Sequence, residues 1–203
     1  VPGWGAVFRA YLHFYDRVHE GWPEPGYHLD YPPMRLLVMV VWTRSIWRSQ
    51  GMDASEEPAC TPLMCLNTLI DAVAALGALL LVRHWVWRTG PPESRLLIPG
   101  HTWLDRQLAM GWRPTAAFCL LWFNPAMILS AHGWPGWDMW VVSFYLWTIL
   151  LCCWEYWFVA GVVMGLGIMF KGQQFAVAWV FLVWPLFAGQ PGRMLRFSAG
   201  FVG

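Results

Sequence analysis

The chain has 203 residues, 58% of them hydrophobic and 12% charged, with a mean hydropathy of +0.43 and a net charge of +1. That balance is too apolar for a soluble domain and lacks the basic excess of a nucleic-acid-binding surface; it fits a polytopic membrane protein. Seventeen tryptophans point the same way, because indole rings favour the headgroup boundary.

The first sixty residues contain no span-length apolar run. LHFYDRVHE (12–20) sets His13, Asp16 and Glu20 near one face of a helix, with Arg17 less close. That pattern suits either a catalytic acid or the solvated face of a surface helix. HLDYPPMRLLVMVVW (28–42) places an acid, a tyrosine and two prolines against an apolar run that meets Arg35 at once. Nine residues, one of them Arg35, are too few to span, so this reads as an interfacial or re-entrant helix. The two prolines stop a helix from continuing upstream and fix the direction of entry.

Five spans are expected beyond it, near 62–82, 115–131, 139–154, 156–170 and 175–189. Asn124-Pro125 is expected to kink the second. The predicted fold is thus an all-α, polytopic transmembrane helix bundle. Residues 1–61 form a long outer loop with juxtamembrane helices, 62–189 the bundle, and 190–203 a cytoplasmic turn and the start of a truncated next helix. The chain begins at Val1, without Met, and stops just after a basic stretch, which reads as a fragment or truncated copy of a longer membrane protein.

Charge sets the sidedness. Arg83, Arg88, Arg95, Arg106 and Arg113 outnumber Glu93 and Asp105 between the first two spans, and Arg193 and Arg196 follow the last. Both segments are cytoplasmic by the positive-inside rule. Residues 1–61 and the loops at 132–138 and 171–174 then share the opposite face. That face gathers Asp30, Tyr31, His132, Trp134, Trp137, Asp138, Lys171, Gln173 and Gln174. Carboxylates supply general bases, indoles stack on sugars, and a lysine beside a membrane holds a phosphate. Each also has a plainer role: Trp134 and Trp137 as interfacial anchors, Asp138 as an N-cap and Lys171 as a C-terminal cap. Asp71 stands apart as an acid within a span, a site by default unless Asn67 or a neighbouring helix pairs with it. Glu155 falls at a cytoplasmic turn, where no function is required of it. Cys60, Cys65, Cys119, Cys152 and Cys153 show no metal-ligand spacing, and adjacent Cys152-Cys153 read as small core residues.

Four motifs occur in an order that resembles the GT-C superfamily of membrane glycosyltransferases. They are LDYPPMRLL (29–37), NTLIDAVAAL (67–76), FNPAMILSAHGWPGWD (123–138) and GLGIMFKGQQ (165–174). The resemblance is to the dolichyl- or polyprenyl-phosphate-glucose-dependent glucosyltransferases of lipid-linked oligosaccharide synthesis and their bacterial homologues, over roughly residues 9–190. It implies inverting transfer of a hexose from a polyprenyl-phosphate donor to a glycan or lipid-linked acceptor on the non-cytoplasmic face. A carboxylate takes the acceptor proton while cationic and polar groups stabilise the departing lipid phosphate. Carried over by position, Asp30, Tyr31, Pro32 and Pro33 match the acid-Tyr-Pro-Pro element, and Lys171 with Gln173 the Lys-Gln element. His132, Trp134, Trp137 and Asp138 match the outer aromatic loop. Donor-phosphate binding falls to Lys171, Gln173, Gln174 and His132, and sugar or acceptor contact to Tyr31, Trp134, Trp137 and Asp138. The family's early Asp-Tyr pair is replaced by Ala10-Tyr11, so the base is Asp16, Asp30 or a residue before Val1, or it is missing. The resemblance implies no nucleotide sugar, metal or other cofactor, and a bacterial inner membrane or an endoplasmic reticulum membrane. The alternative is a non-enzymatic membrane component, a transporter segment or polyprenyl-lipid-binding subunit, in which Asp71 and the Pro-broken helix line a path.

Overall fold

The computed structural model describes residues 56–89, 111–129, 138–172 and 174–203, with seven single positions between 34 and 48. Those seven (Met34, Leu37, Val38, Val41, Trp42, Ser45 and Arg48) are all helical, in the stretch expected to hold the interfacial helix. Six longer helices and one single turn make up the rest of the described residues, an all-α fold. They are α1 (Glu56–Thr89), α2 (Arg113–Trp122), the turn α3 (Pro125–Ile128), α4 (Asp138–Cys153), α5 (Trp157–Phe170), α6 (Gln174–Phe187) and α7 (Pro191–Val202).

The expectation of five spans is corrected here. Among the described residues one helix, over Thr61–Thr89, is long and apolar enough to cross a membrane. At 1.5 Å per residue the 34 residues of α1 cover about 51 Å. The 16 residues of α4 reach about 24 Å, and the 14 each of α5 and α6 about 21 Å, short of a hydrocarbon core of about 30 Å. The apolar run from 139 to 189 is divided near Glu155 and at 171–174, as expected, and ends near Gly189. Glu155 adopts φ 68° and ends α4, while Gly189 takes the same angle and ends α6. In both, two backbone bonds close the last turn: Glu155 N–H to Cys152 C=O and Tyr156 N–H to Leu151 C=O, then Gly189 N–H to Leu186 C=O and Gln190 N–H to Pro185 C=O. This is the Schellman arrangement, in which glycine usually fills the left-handed position.

The segment 115–131 is interrupted rather than kinked. Pro125 has no N–H and holds Asn124 in extended backbone (φ −66°, ψ 118°), so α2 ends at Trp122. The Asn124 side chain then accepts the Ala126 N–H at 2.9 Å and starts α3 as an N-cap.

Helix directions follow from the contacts. Trp140 meets Asn67, Ser143 meets Ile70 and Trp147 meets Val73, rising together, so α1 and α4 run parallel. Phe170 at the end of α5 packs on Trp140 (4.9 Å between ring centroids) and Phe144 (5.4 Å) near the start of α4, so α5 returns antiparallel. In α6 Phe181 lies between Tyr145 of α4 and Phe197 of α7. The core cluster of Trp157, Ala160, Met164, Ala178 and Phe197 joins α5, α6 and α7. A second, of Ala74 and Met139 with Leu121 and Met127, joins α1 and α4 to α2 and α3.

Helices α5 and α7 cross closely and in parallel, Phe197 over Gly161 and Phe201 over Gly165. A Cβ on Gly161 runs into the Phe197 carbonyl, and one on Gly200 into the Phe158 carbonyl. This is the close backbone approach that a small-xxx-small pattern permits. Gly161→Ala is expected to lower stability by about 1–3 kcal/mol through overpacking, whereas Gly172→Ala, with open space around the site, leaves it unchanged. Thermal unfolding of both variants in detergent is the check.

Candidate functional site

Two chemically different ends emerge from these directions. The first joins the start of α4, the end of α5 and the start of α6. Asp138 is the first helical residue of α4, so the helix starts one residue earlier than expected and Asp138 lies inside it rather than at the N-cap position. Lys171 is the C-cap of α5, half-buried, its N–H bonded to the Gly167 carbonyl at 3.1 Å. Gln174 opens α6 and is buried (3% exposed); its side-chain amide donates to the Val141 carbonyl at 2.5 Å. The Gln174 Oε1 lies against Gly167, where a Cβ would collide with it. Gln174 therefore ties the start of α6 to α4, with its amide packed against the end of α5.

Behind that tie the Trp140 indole N–H donates to Asn67 Oδ1 at 3.0 Å, with both residues buried (5% and 2% exposed). Asp71 lies one turn further along α1 and is half-buried. Of the expected site residues, the structure thus brings Lys171, Gln174 and the backbone of Asp138 to one end, with Asp71 deeper along α1. Asp16, Asp30, Tyr31, His132, Trp134, Trp137 and Gln173 lie outside the described residues.

The opposite end is built from the C-terminal part of α1, the α4–α5 turn and the start of α7. Glu155 accepts from Arg193 Nη2 at 2.7 Å through Oε1 and from Trp157 Nε1 at 3.1 Å through Oε2. The Arg193 guanidinium also stands over the Trp157 ring, 5.6 Å from its centroid, and donates to Gln190. The two ionic side chains are 51% and 34% exposed, so the pair orients the turn more than it stabilises the fold. A cleft of about 790 Å³ opens beside it, with Arg83, His84 and Arg88 facing Cys153, Glu155 and Tyr156.

Sequence reading assigned no role to Glu155 and did not single out Trp140. Their partners lie 38 and 73 residues away, beyond any local pattern. The available signal for Glu155 was a lone acid in an apolar run where a turn otherwise calls for glycine.

Cys65, Cys119, Cys152 and Cys153 are free thiols. Among the described residues no three His, Cys, Asp or Glu side chains cluster to hold a metal ion. Comparison with protein-family models, with curated proteins and with solved structures finds no match in any of the three.

The left-handed backbone at Glu155 generates a test. Glu155→Ala loses both side-chain bonds and keeps the strain; Glu155→Gly loses the bonds and relieves the strain. The glycine variant is expected to be about 1 kcal/mol more stable than the alanine variant, read from paired unfolding midpoints.

Proposed function

We propose that this chain is a membrane glycosyltransferase, or a fragment of one, that transfers a hexose from a polyprenyl-phosphate donor to a glycan or lipid-linked acceptor on the non-cytoplasmic side. The bundle sits in the bilayer with α1 as its spanning helix and the shorter helices packed around it. Asp30 or Asp16 serves as general base, Lys171 and His132 offset charge on the departing phosphate, and Tyr31, Trp134 and Trp137 hold the sugar or acceptor.

The observation that supports this reading is the segregation of the two ends. The helix ends carrying Asp138 and Lys171 meet at one pole, and Arg88 and Arg193 lie at the other. Between the poles the surface is apolar. Trp179, Val180 and Trp184 of α6 are exposed along its flank, and Phe187, Phe158 and Val159 are exposed nearer the arginine pole, apolar side chains of the kind that face lipid or a partner.

Membranes expressing the protein, supplied with a radiolabelled polyprenyl-phosphate hexose and fractionated acceptors, are expected to transfer label. Replacing the true base should lower that rate by about 100-fold or more, so Asp30→Asn and Asp16→Asn assign the role between them. Lys171→Gln is expected to lower it while leaving acceptor binding intact. Absence of transfer by the unmodified full-length protein refutes the reading.

A further inference from the structure

We propose that Gln174 is a positioning residue for Lys171: it fixes the α5–α6 turn against α4 and so sets where the lysine ammonium is presented. This rests on the reading of Lys171 as the group that offsets charge on the departing phosphate. Gln174 itself does not touch that phosphate.

Residues 171–173 link α5 to α6, and the backbone of Lys171 is held from both sides. It is extended (φ −151°, ψ 109°). Its N–H donates to the Gly167 carbonyl and its own carbonyl accepts the Gln174 N–H, each at 3.1 Å. The residue before it, Phe170, is buried against Trp140 and Phe144 of α4. Beyond the turn, Gln174 makes a second anchor to the same helix, its amide donating to the Val141 carbonyl. Both anchors fall within the first two turns of α4, so the Lys171 backbone is pinned between them.

Stability alone does not account for a glutamine at this position. Its Oε1 is buried, and among the described residues no donor reaches it. An unmet buried acceptor costs stability, and an apolar side chain of the same length avoids that cost. What an apolar side chain lacks is direction. A hydrogen bond to one particular carbonyl holds the turn in one register, and Gly167 supplies the notch that admits the amide: a Cβ there would meet Gln174 Oε1 and the Phe144 Cβ. The orientation of the amide is fixed as well, because exchanging Nε2 and Oε1 would set an oxygen against the Val141 carbonyl. Buried and with its donor engaged, Gln174 has no surface to offer a lipid phosphate, and it serves that group through Lys171. A shift of about 1 Å in a positioned group lowers a rate by about 100-fold, so the value of the tie lies in placement.

Lys171 is the one lysine in the sequence, which gives a direct readout. Reductive methylation of the full chain in detergent with carbon-13 formaldehyde yields a single side-chain amine signal in the NMR spectrum. In the unmodified protein that signal is expected away from the position of free dimethyl-lysine. Gln174→Met, which keeps the length and loses the donor, is expected to move it most of the way to the free position. Should that variant not fold, Gly167→Ala, which pushes the amide out of its notch, carries the same expectation. Glu155→Ala, which removes two hydrogen bonds at the opposite pole, is expected to leave the signal in place. In transfer assays Gln174→Met is expected to lower kcat roughly 10-fold with donor KM held within about 2-fold, and to add no further loss to Lys171→Gln. A signal already at the free position in the unmodified protein overturns the proposal. So does one unmoved by the variant at the tie, or moved as far by Glu155→Ala. Full additivity of Gln174→Met with Lys171→Gln overturns it too. The amine signal is read without substrate, so failure of the transferase reading leaves this test intact, and an unmoved signal leaves transfer standing.

Discussion

The three hydrogen bonds from α4 to α1 fix the architecture. Trp140 reaches Asn67 Oδ1, Ser143 Oγ reaches the Ile70 carbonyl, and Trp147 Nε1 reaches the Val73 carbonyl, each at 3.0 Å. Apolar side chains alone attract without direction, and in a lipid setting they gain little by leaving the lipid. Polar partners inside an apolar interior must be met, so they select one register and one orientation. Here they select a parallel pair. With α1 and α4 parallel and α5 returning along α4, the helix ends bearing Asp138, Lys171 and Gln174 are brought together. The arginines of α1 and α7 are thereby left at the other pole, around Glu155.

Small residues then set the separations. Gly161, Gly165 and Gly200 let α7 lie directly on the α5 backbone, and Gly167 leaves room for the Gln174 amide. The bundle is narrow where glycines meet and open where Trp87, Trp154 and Tyr156 stand, beside Glu155. Polar ties decide direction, and side-chain volume decides separation.

The apolar runs were legible as helices because their composition is unambiguous, and Pro125 marked the place where the second of them was expected to kink and instead stops. The bounds of three helices were legible as well: the expected runs 139–154, 156–170 and 175–189 match α4, α5 and α6 to within two residues, divided near Glu155 and at 171–174. By contrast, α1 extends well past the expected 62–82, and the shorter three are not of span length. Lys171 as a helix cap was readable from its position after an apolar run. The burial of Gln174 was not, because it depends on Val141 and Gly167 arriving from other helices. The Gly161-x-x-x-Gly165 spacing was present in the sequence, but only the arrival of Phe197 and Phe201 gives it meaning. Seven of the residues proposed for transfer lie outside the described residues, so the candidate site stands on motif order, and its described frame is Lys171, Gln174 and the start of α4.

The central claim is that one bundle presents two faces to opposite sides of a bilayer. Single-cysteine variants at Gly172 and Thr89, in a background lacking the native cysteines, test it in sealed vesicles with a membrane-impermeant maleimide. Opposite sidedness of labelling, Gly172→Cys from one side and Thr89→Cys from the other, is the result predicted. Labelling of both from the same side contradicts it.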